Sequence, residues 1–63
     1  MTIYEINYKK ALDEMLDKVI AKYGYENQNT IYFATIHDKY YNTPNYENRE
    51  MVEKIFKGLT LDK

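Results

Sequence analysis

Residues 5–23 read EINYKKALDEMLDKVIAKY, and this stretch decides the fold because its apolar side chains recur with a helical period. Successive apolar positions are separated by four, three, four and four residues, which places them on one side of an α-helix. These positions are Tyr8, Leu12, Met15, Val19 and Tyr23. The stretch therefore predicts a long amphipathic helix that buries one face.

Both ends of this helix carry recognisable signals. Thr2 with Glu5 three positions later predicts a capping box at the start. Gly24 predicts the stop, because glycine adopts a left-handed backbone at little cost. In that register Tyr25 should fold back onto Ile20 and staple the helix end.

The next stretch, TIYFATIHDKYY at residues 30–41, allows two interpretations. As a helix, it begins with Thr30 as its cap and carries Phe33, Ile36, His37 and Tyr40 on one face. As a strand over residues 30–37, it would place successive side chains on alternate faces of a sheet, and its residue types favour a strand over a helix. A lone strand has no partner in this chain, so we favour the helix and keep an α+β fold as the alternative.

The sequence NTPN at residues 42–45 predicts a turn, because Pro44 disfavours helical angles at the residue before it. We expect Thr43 to cap a third helix with Pro44 at its first position. That helix should run from about 45 to 58 and end at Gly58. Its apolar face is formed by Met51, Val52, Ile55, Phe56 and Leu59.

Together these patterns predict an all-α fold, with residues 1–63 forming a single small three-helix domain. The chain has no cysteine and no pair of histidines, so neither a disulfide nor a structural zinc can staple it. No apolar run approaches the roughly 18 residues of a membrane span. We therefore expect a cytoplasmic protein that makes no membrane contact.

Charge and side-chain chemistry narrow the range of functions that the sequence favours. Nine basic and ten acidic residues nearly cancel, which makes direct nucleic-acid binding an unfavoured function. The chain has no cysteine or serine nucleophile and no glycine-rich phosphate loop, and its one histidine, His37, has an ordinary structural role in this interpretation. We therefore predict a protein that is not an enzyme and that needs no metal or cofactor.

Tyrosine is the most conspicuous residue type, with eight copies in 63 residues. Tyrosine has AT-rich codons, so a low-GC genome would explain this abundance as well as a functional role would. More tyrosine rings flank the NTPN turn than a small core can hold, so some of them should be exposed. Exposed tyrosine is typical of protein interfaces. The predicted partner-binding residues are Tyr32, Tyr40, Tyr41, Tyr46 and Arg49, with Asp13 and Asp17 as a second, acidic patch for a basic partner.

The segment YGYENQNTIYF at residues 23–33, followed by MVEKIFKGL at residues 51–59, resembles very short accessory proteins of low-GC Gram-positive phages and mobile elements. That group includes anti-CRISPR proteins, which bind a Cas effector nuclease and block it. The resemblance implies a non-enzymatic inhibitor of host defence that acts in the cytoplasm of the bacterial host. It transfers no individual binding residue to this chain.

Two alternatives stay open from the sequence. Three helices in 63 residues also suit a small DNA-binding or transcriptional regulator, which would be dimeric. The other alternative is a protein whose main partner is a second copy of itself, so that it forms a homodimer. Acidic residues beside the basic ones on the third helix disfavour the regulator, because they would face phosphates.

Overall fold

The computed structural model describes residues 2–61, which form three α-helices. Helix α1 runs Ile3–Tyr23, α2 runs Gln28–Tyr41 and α3 runs Tyr46–Thr60. No strand occurs within this described range, and residues 30–37 lie inside α2. The all-α prediction is therefore confirmed, and the alternative with a strand is wrong because helical packing overrides the local strand propensity.

The helices form an up-down-up bundle. Thr30 on α2 donates its hydroxyl to the carbonyl of Gly24 just past α1, which places the start of α2 beside the end of α1. Tyr23 near the end of α1 donates its phenol to the carbonyl of Leu59 near the end of α3. Helices α1 and α3 therefore run in the same direction, and α2 runs against both.

Five side chains are fully buried between the helices, and each helix contributes at least one. They are Tyr8, Leu12, Val19, Phe33 and Val52. Half-buried apolar side chains from all three helices pack around them, including Phe56, whose ring centroid lies 6.0 Å from that of Phe33. Since α1 supplies three of the five, its periodic stripe organises the core as the sequence predicts.

The capping box at the start of α1 is confirmed. The Thr2 hydroxyl oxygen accepts from the Glu5 backbone N–H at 3.1 Å, and the Glu5 carboxylate accepts from the Thr2 backbone N–H at 3.4 Å. These bonds satisfy two backbone donors that the helix itself cannot pair. The first turn of α1 is thereby held in helical form.

Gly24 ends α1 as predicted, with φ +90° and ψ 162°. This region of backbone space is essentially restricted to glycine. The staple by Tyr25 is wrong, because its side chain is 78% exposed. A ψ of 162° continues the chain in extended form instead of curling it back over Ile20.

The predicted caps of the other two helices are also wrong. Asn27 caps α2, accepting from the Asn29 N–H at 2.8 Å, while the predicted cap Thr30 lies inside the first turn. Asn45 caps α3, accepting from the N–H groups of Glu47 at 2.8 Å and Asn48 at 3.3 Å. Asparagine is as good a cap as threonine or better, so an asparagine just before each helix takes the role that the sequence suggests for threonine.

Gly58 does not end α3, which continues to Thr60. A glycine inside a helix costs only about 0.5–1 kcal/mol relative to alanine, so packing on either side can carry the helix through it. Here Ile55, Phe56 and Leu59 all pack against the core. Among residues 2–61, no helix combines the length and apolar character needed to cross a bilayer.

Candidate protein-binding surface

Five of the eight tyrosines gather at one end of the bundle, called here the tyrosine end. It is formed by the start of α1, the end of α2 and the start of α3. The buried Tyr8 on α1 joins these elements by donating its phenol to the Tyr40 carbonyl of α2 at 2.6 Å. The five residues are Tyr4, Tyr8, Tyr40, Tyr41 and Tyr46.

The phenol of Tyr8 is part of the scaffold of this end. Burial is the main cause that raises its pKa above the usual 10.0, and the neighbouring phenols of Tyr4 and Tyr40 add to the rise. A hydrogen bond with the Thr43 side chain partly opposes it. Tyr8 therefore stays neutral and keeps donating to the last turn of α2, where backbone carbonyls lack helical partners.

Tyr40 and Tyr41 are half-buried and present their rings partly to solvent. The Tyr41 ring lies 4.9 Å from the His37 ring, and the ammonium of Lys9 lies 5.2 Å from its centroid. Lys39 stands 5.5 Å from the centroid of the Tyr40 ring. These cation–π and ring contacts hold both side chains in place, so they offer rigid contact area to a partner.

Tyr46 and Arg49 are exposed residues that α3 contributes to the same end. Tyr46 is 67% exposed, and Arg49, three residues later on α3, is also exposed. A hydrogen bond to the Glu50 carboxylate raises the pKa of Tyr46, and the negative charge of Glu50 adds to this, while the Arg49 charge opposes it. Tyrosine and arginine side by side are the residue types that dominate binding energy at protein interfaces.

Tyr32 does not belong to this surface. It lies in the first turns of α2, at the opposite end of the bundle, and is 51% exposed. Its exposed neighbours in sequence are Ile31 and, before the helix, Tyr25. The five residues predicted as one patch are thus divided, with Tyr40, Tyr41, Tyr46 and Arg49 together and Tyr32 apart.

The two predicted acidic residues have different surroundings. The carboxylate of Asp13 on α1 lies 2.8 Å from Nε2 of His37 on α2, within hydrogen-bond distance. This contact joins the two helices. Asp17 is exposed on the outer side of α1. Asp17 therefore stays available to a basic partner, whereas Asp13 already has a structural contact.

The Asp13–His37 contact is not among the sequence predictions, which place Asp13 with Asp17 in an acidic patch for a basic partner. His37 is buried, with 9% of its surface exposed, and its Nδ1 lies 3.3 Å from the carboxylate of Asp38. One signal was present: a histidine on the apolar face of α2 needs a polar partner from the neighbouring helix. Choosing Asp13 among the acids of α1 required the helix-to-helix register.

His37 lies beside the carboxylates of Asp13 and Asp38 and the ring of Tyr41. No group of three metal-ligating side chains occurs within residues 2–61, and no serine or cysteine exists for His37 to activate. A shallow depression on α3, lined by Glu50, Glu53, Lys54 and Lys57, carries charges of both signs and opens to solvent.

No protein-family model, curated protein or solved structure matches this chain. The resemblance to short phage accessory proteins accordingly stays a prediction. What the chain binds has to be inferred from the surface that its own residues form.

Proposed function

We propose that this protein is a non-enzymatic binding protein that uses the tyrosine end to dock on another protein. The observation that supports this is the gathering of exposed and half-buried aromatic rings at one end, beside Arg49. Tyr4 and Tyr46 are 44% and 67% exposed there, although burying them would favour folding. Only five side chains are fully buried in this domain, so burial of further aromatic area would add to its stability. A partner that covers the exposed rings would provide that burial.

The concrete form of this proposal is an inhibitor of a host defence nuclease, namely an anti-CRISPR protein that binds a Cas effector. The formal net charge of −1 sets it apart from inhibitors that imitate the phosphate charge of duplex DNA. Binding would instead block a protein surface or a conformational step of the effector. Aromatic contact, with one arginine at its rim, suits that mode better than electrostatic mimicry.

The experiment is capture followed by an activity assay. The tagged protein would be expressed in a low-GC Gram-positive host that carries defence systems, and the lysate would be treated with nuclease before purification. We expect one defence nuclease in stoichiometric amount, and we expect its cleavage of target DNA to stop when the purified protein is added. A captured protein without defence activity, or an unaffected nuclease, would contradict the inhibitor function.

The surface itself is tested by two matched double variants. Tyr46→Ala with Arg49→Ala removes exposed side chains at the tyrosine end, and we expect at least a tenfold loss of affinity with an unchanged helical circular dichroism spectrum. Tyr25→Ala with Tyr32→Ala removes two exposed tyrosines from the opposite end and serves as the control. Loss of binding in the control alone would move the surface to Tyr32 and away from the tyrosine end.

A further inference from the structure

The outer side of α1 carries a stripe of six exposed side chains. Its positions recur at alternating intervals of four and three residues, so they lie on one face of the helix, with apolar residues at its two ends and polar residues between them. All six side chains are exposed, and Ile3 is the most exposed of them at 77%. The stripe consists of Ile3, Asn7, Lys10, Glu14, Asp17 and Ala21.

This stripe is complementary to itself when two copies meet in antiparallel orientation. If Lys10 of one copy faces Glu14 of the other, the two-fold axis repeats that opposite-charge pair. The same register places Ile3 against Ala21 and the Asn7 amide, a donor, against the Asp17 carboxylate. All six positions then have a suitable counterpart.

The charges also reject the neighbouring registers. A shift of one heptad in one direction sets Glu14 against Asp17, which is a like-charge contact. The opposite shift sets Glu14 against Ile3 and leaves a carboxylate on an apolar side chain. In a coiled coil, a polar residue at a single seam position fixes the register at a cost in stability, and four polar positions on this stripe make that cost larger.

The positions flanking the stripe support the same register. Ile6, which is 50% exposed, would face the half-buried Ile20 of the second copy. Tyr4 would face Lys18, a favourable ring–cation arrangement. Against these contacts, Asp13 would approach its own equivalent near the axis, and this like-charge contact lowers the affinity of the dimer.

We propose that this stripe is a homodimer interface, with a second copy of the chain packed antiparallel along α1. Two 21-residue helices give an interface at the small end of the range for stable complexes, and its centre is polar. The dimer should therefore be weak, with a dissociation constant of about 10–500 μM. This goes beyond the proposed function, because the dimer places a tyrosine end at each of its two extremities.

Sedimentation equilibrium from about 10 μM to 1 mM in low salt tests the proposal, since charge pairs weaken as salt rises. We expect Lys10→Glu and Glu14→Lys each to weaken the wild-type dimer at least tenfold. The double variant K10E/E14K restores the charge pair in reverse and should recover the wild-type constant. Lys54→Glu, on the exposed side of α3, makes the same charge change as K10E and should leave the constant unchanged.

A wild-type protein that stays monomeric at 1 mM would overturn the proposal, as would a double variant that fails to recover dimerisation. Circular dichroism of each variant separates loss of dimer from loss of fold. Partner capture by the tyrosine end reads out different residues, Tyr46 and Arg49. The failure of one proposal is therefore distinguishable from the failure of the other.

The register can be tested by cross-linking, because the chain has no native cysteine. Ile3→Cys and Ala21→Cys would be prepared as separate proteins, mixed and oxidised with diamide. An antiparallel dimer should yield mainly the mixed 3–21 disulfide, which mass spectrometry identifies. A parallel pair would yield 3–3 and 21–21 disulfides instead, and that result would overturn the antiparallel arrangement.

Discussion

The two ends of the bundle use the same tie and differ in what surrounds it. At each end a tyrosine of α1 donates its phenol to a carbonyl in the last turn of another helix, Tyr8 to Tyr40 and Tyr23 to Leu59. Tyr8 is fully buried and has other tyrosines around it, whereas Tyr23 is half-buried. A tyrosine can therefore act as a structural tie at either end, but only one end gathers further rings into a surface.

The connections at the two ends also differ. Gly24 joins α1 to α2 at the opposite end with a backbone conformation reserved for glycine. The connection at the tyrosine end contains Pro44 and no glycine, and Asn48 donates its side-chain amide to the Thr43 carbonyl there at 3.0 Å. Both turns are therefore supported by a side-chain bond, from Thr30 to the Gly24 carbonyl at the opposite end and from Asn48 at the tyrosine end, and only the opposite end also uses a glycine backbone angle.

The largest expected effect separates the two tyrosine ties. Tyr8→Ala removes a fully buried ring and should cost about 3–5 kcal/mol of unfolding free energy, which leaves so small a domain largely unfolded. Tyr23→Ala should cost about 1–2 kcal/mol, because its ring is only half-buried. Urea denaturation followed by circular dichroism measures both losses of unfolding free energy. Equal losses would contradict the expected difference between the two ties.

The two glycines, both toward the opposite end, should respond in opposite directions. Gly24→Ala forces a side chain into a strained backbone region and should cost about 1–3 kcal/mol. Gly58→Ala lies inside α3, where an added methyl meets no atom within 4 Å, and should raise stability by about 0.5–1 kcal/mol. Thermal unfolding of the two variants would show melting temperatures on either side of the wild type; a stabilising G24A would contradict the assigned role of Gly24.

Between the ends, the Asp13–His37 contact should be worth about 1 kcal/mol, since Asp13 is partly exposed and water screens it. Asp13→Ala removes the partner of a buried imidazole nitrogen and should lower unfolding free energy by that amount. Asp17→Ala, one helical turn later and exposed, is the matched control and should change stability little. Equal urea midpoints for the two variants would mean that the contact adds no stability.

The smallest effect concerns alkaline pH. Because burial raises the pKa of Tyr8, its stabilising contribution is fully present below pH 10.0 and is lost as pH rises through the higher pKa of the folded state. Tyr8→Phe should cost about 1 kcal/mol at pH 7 by removing the bond to Tyr40, with a smaller difference from wild type above pH 10. Urea midpoints at pH 7 and pH 10.5 test this, and a difference that widens with pH would reverse the sign.

Sequence patterns predicted the helices well and their ends less well. The stripe from Tyr8 to Tyr23 is long and strongly periodic, so α1 and its capping box could be predicted before any packing was known. The caps Asn27 and Asn45 could not be distinguished from the nearby threonines, because the cap preferences of asparagine and threonine differ by only a few tenths of a kcal/mol. The sequence predicts a stop at Gly58 because glycine inside a helix and glycine after one look alike in sequence.

The candidate surface was predictable in composition but not in arrangement. The rings at Tyr40, Tyr41 and Tyr46 flank one turn, so their proximity followed from sequence order. Tyr32 could be assigned to the opposite end only once α2 was known to run unbroken from Gln28 to Tyr41. The Asp13–His37 contact joins residues 24 positions apart, so it depended on the register between two helices.

The short connections have a kinetic consequence. Each links two antiparallel helices with only four residues, 24–27 and 42–45, so the loops that must close during folding are small. Helical domains built mainly from such local contacts fold in microseconds to milliseconds. A ribosome adds about 5–20 residues per second, so this bundle completes its fold within the time needed to add one residue.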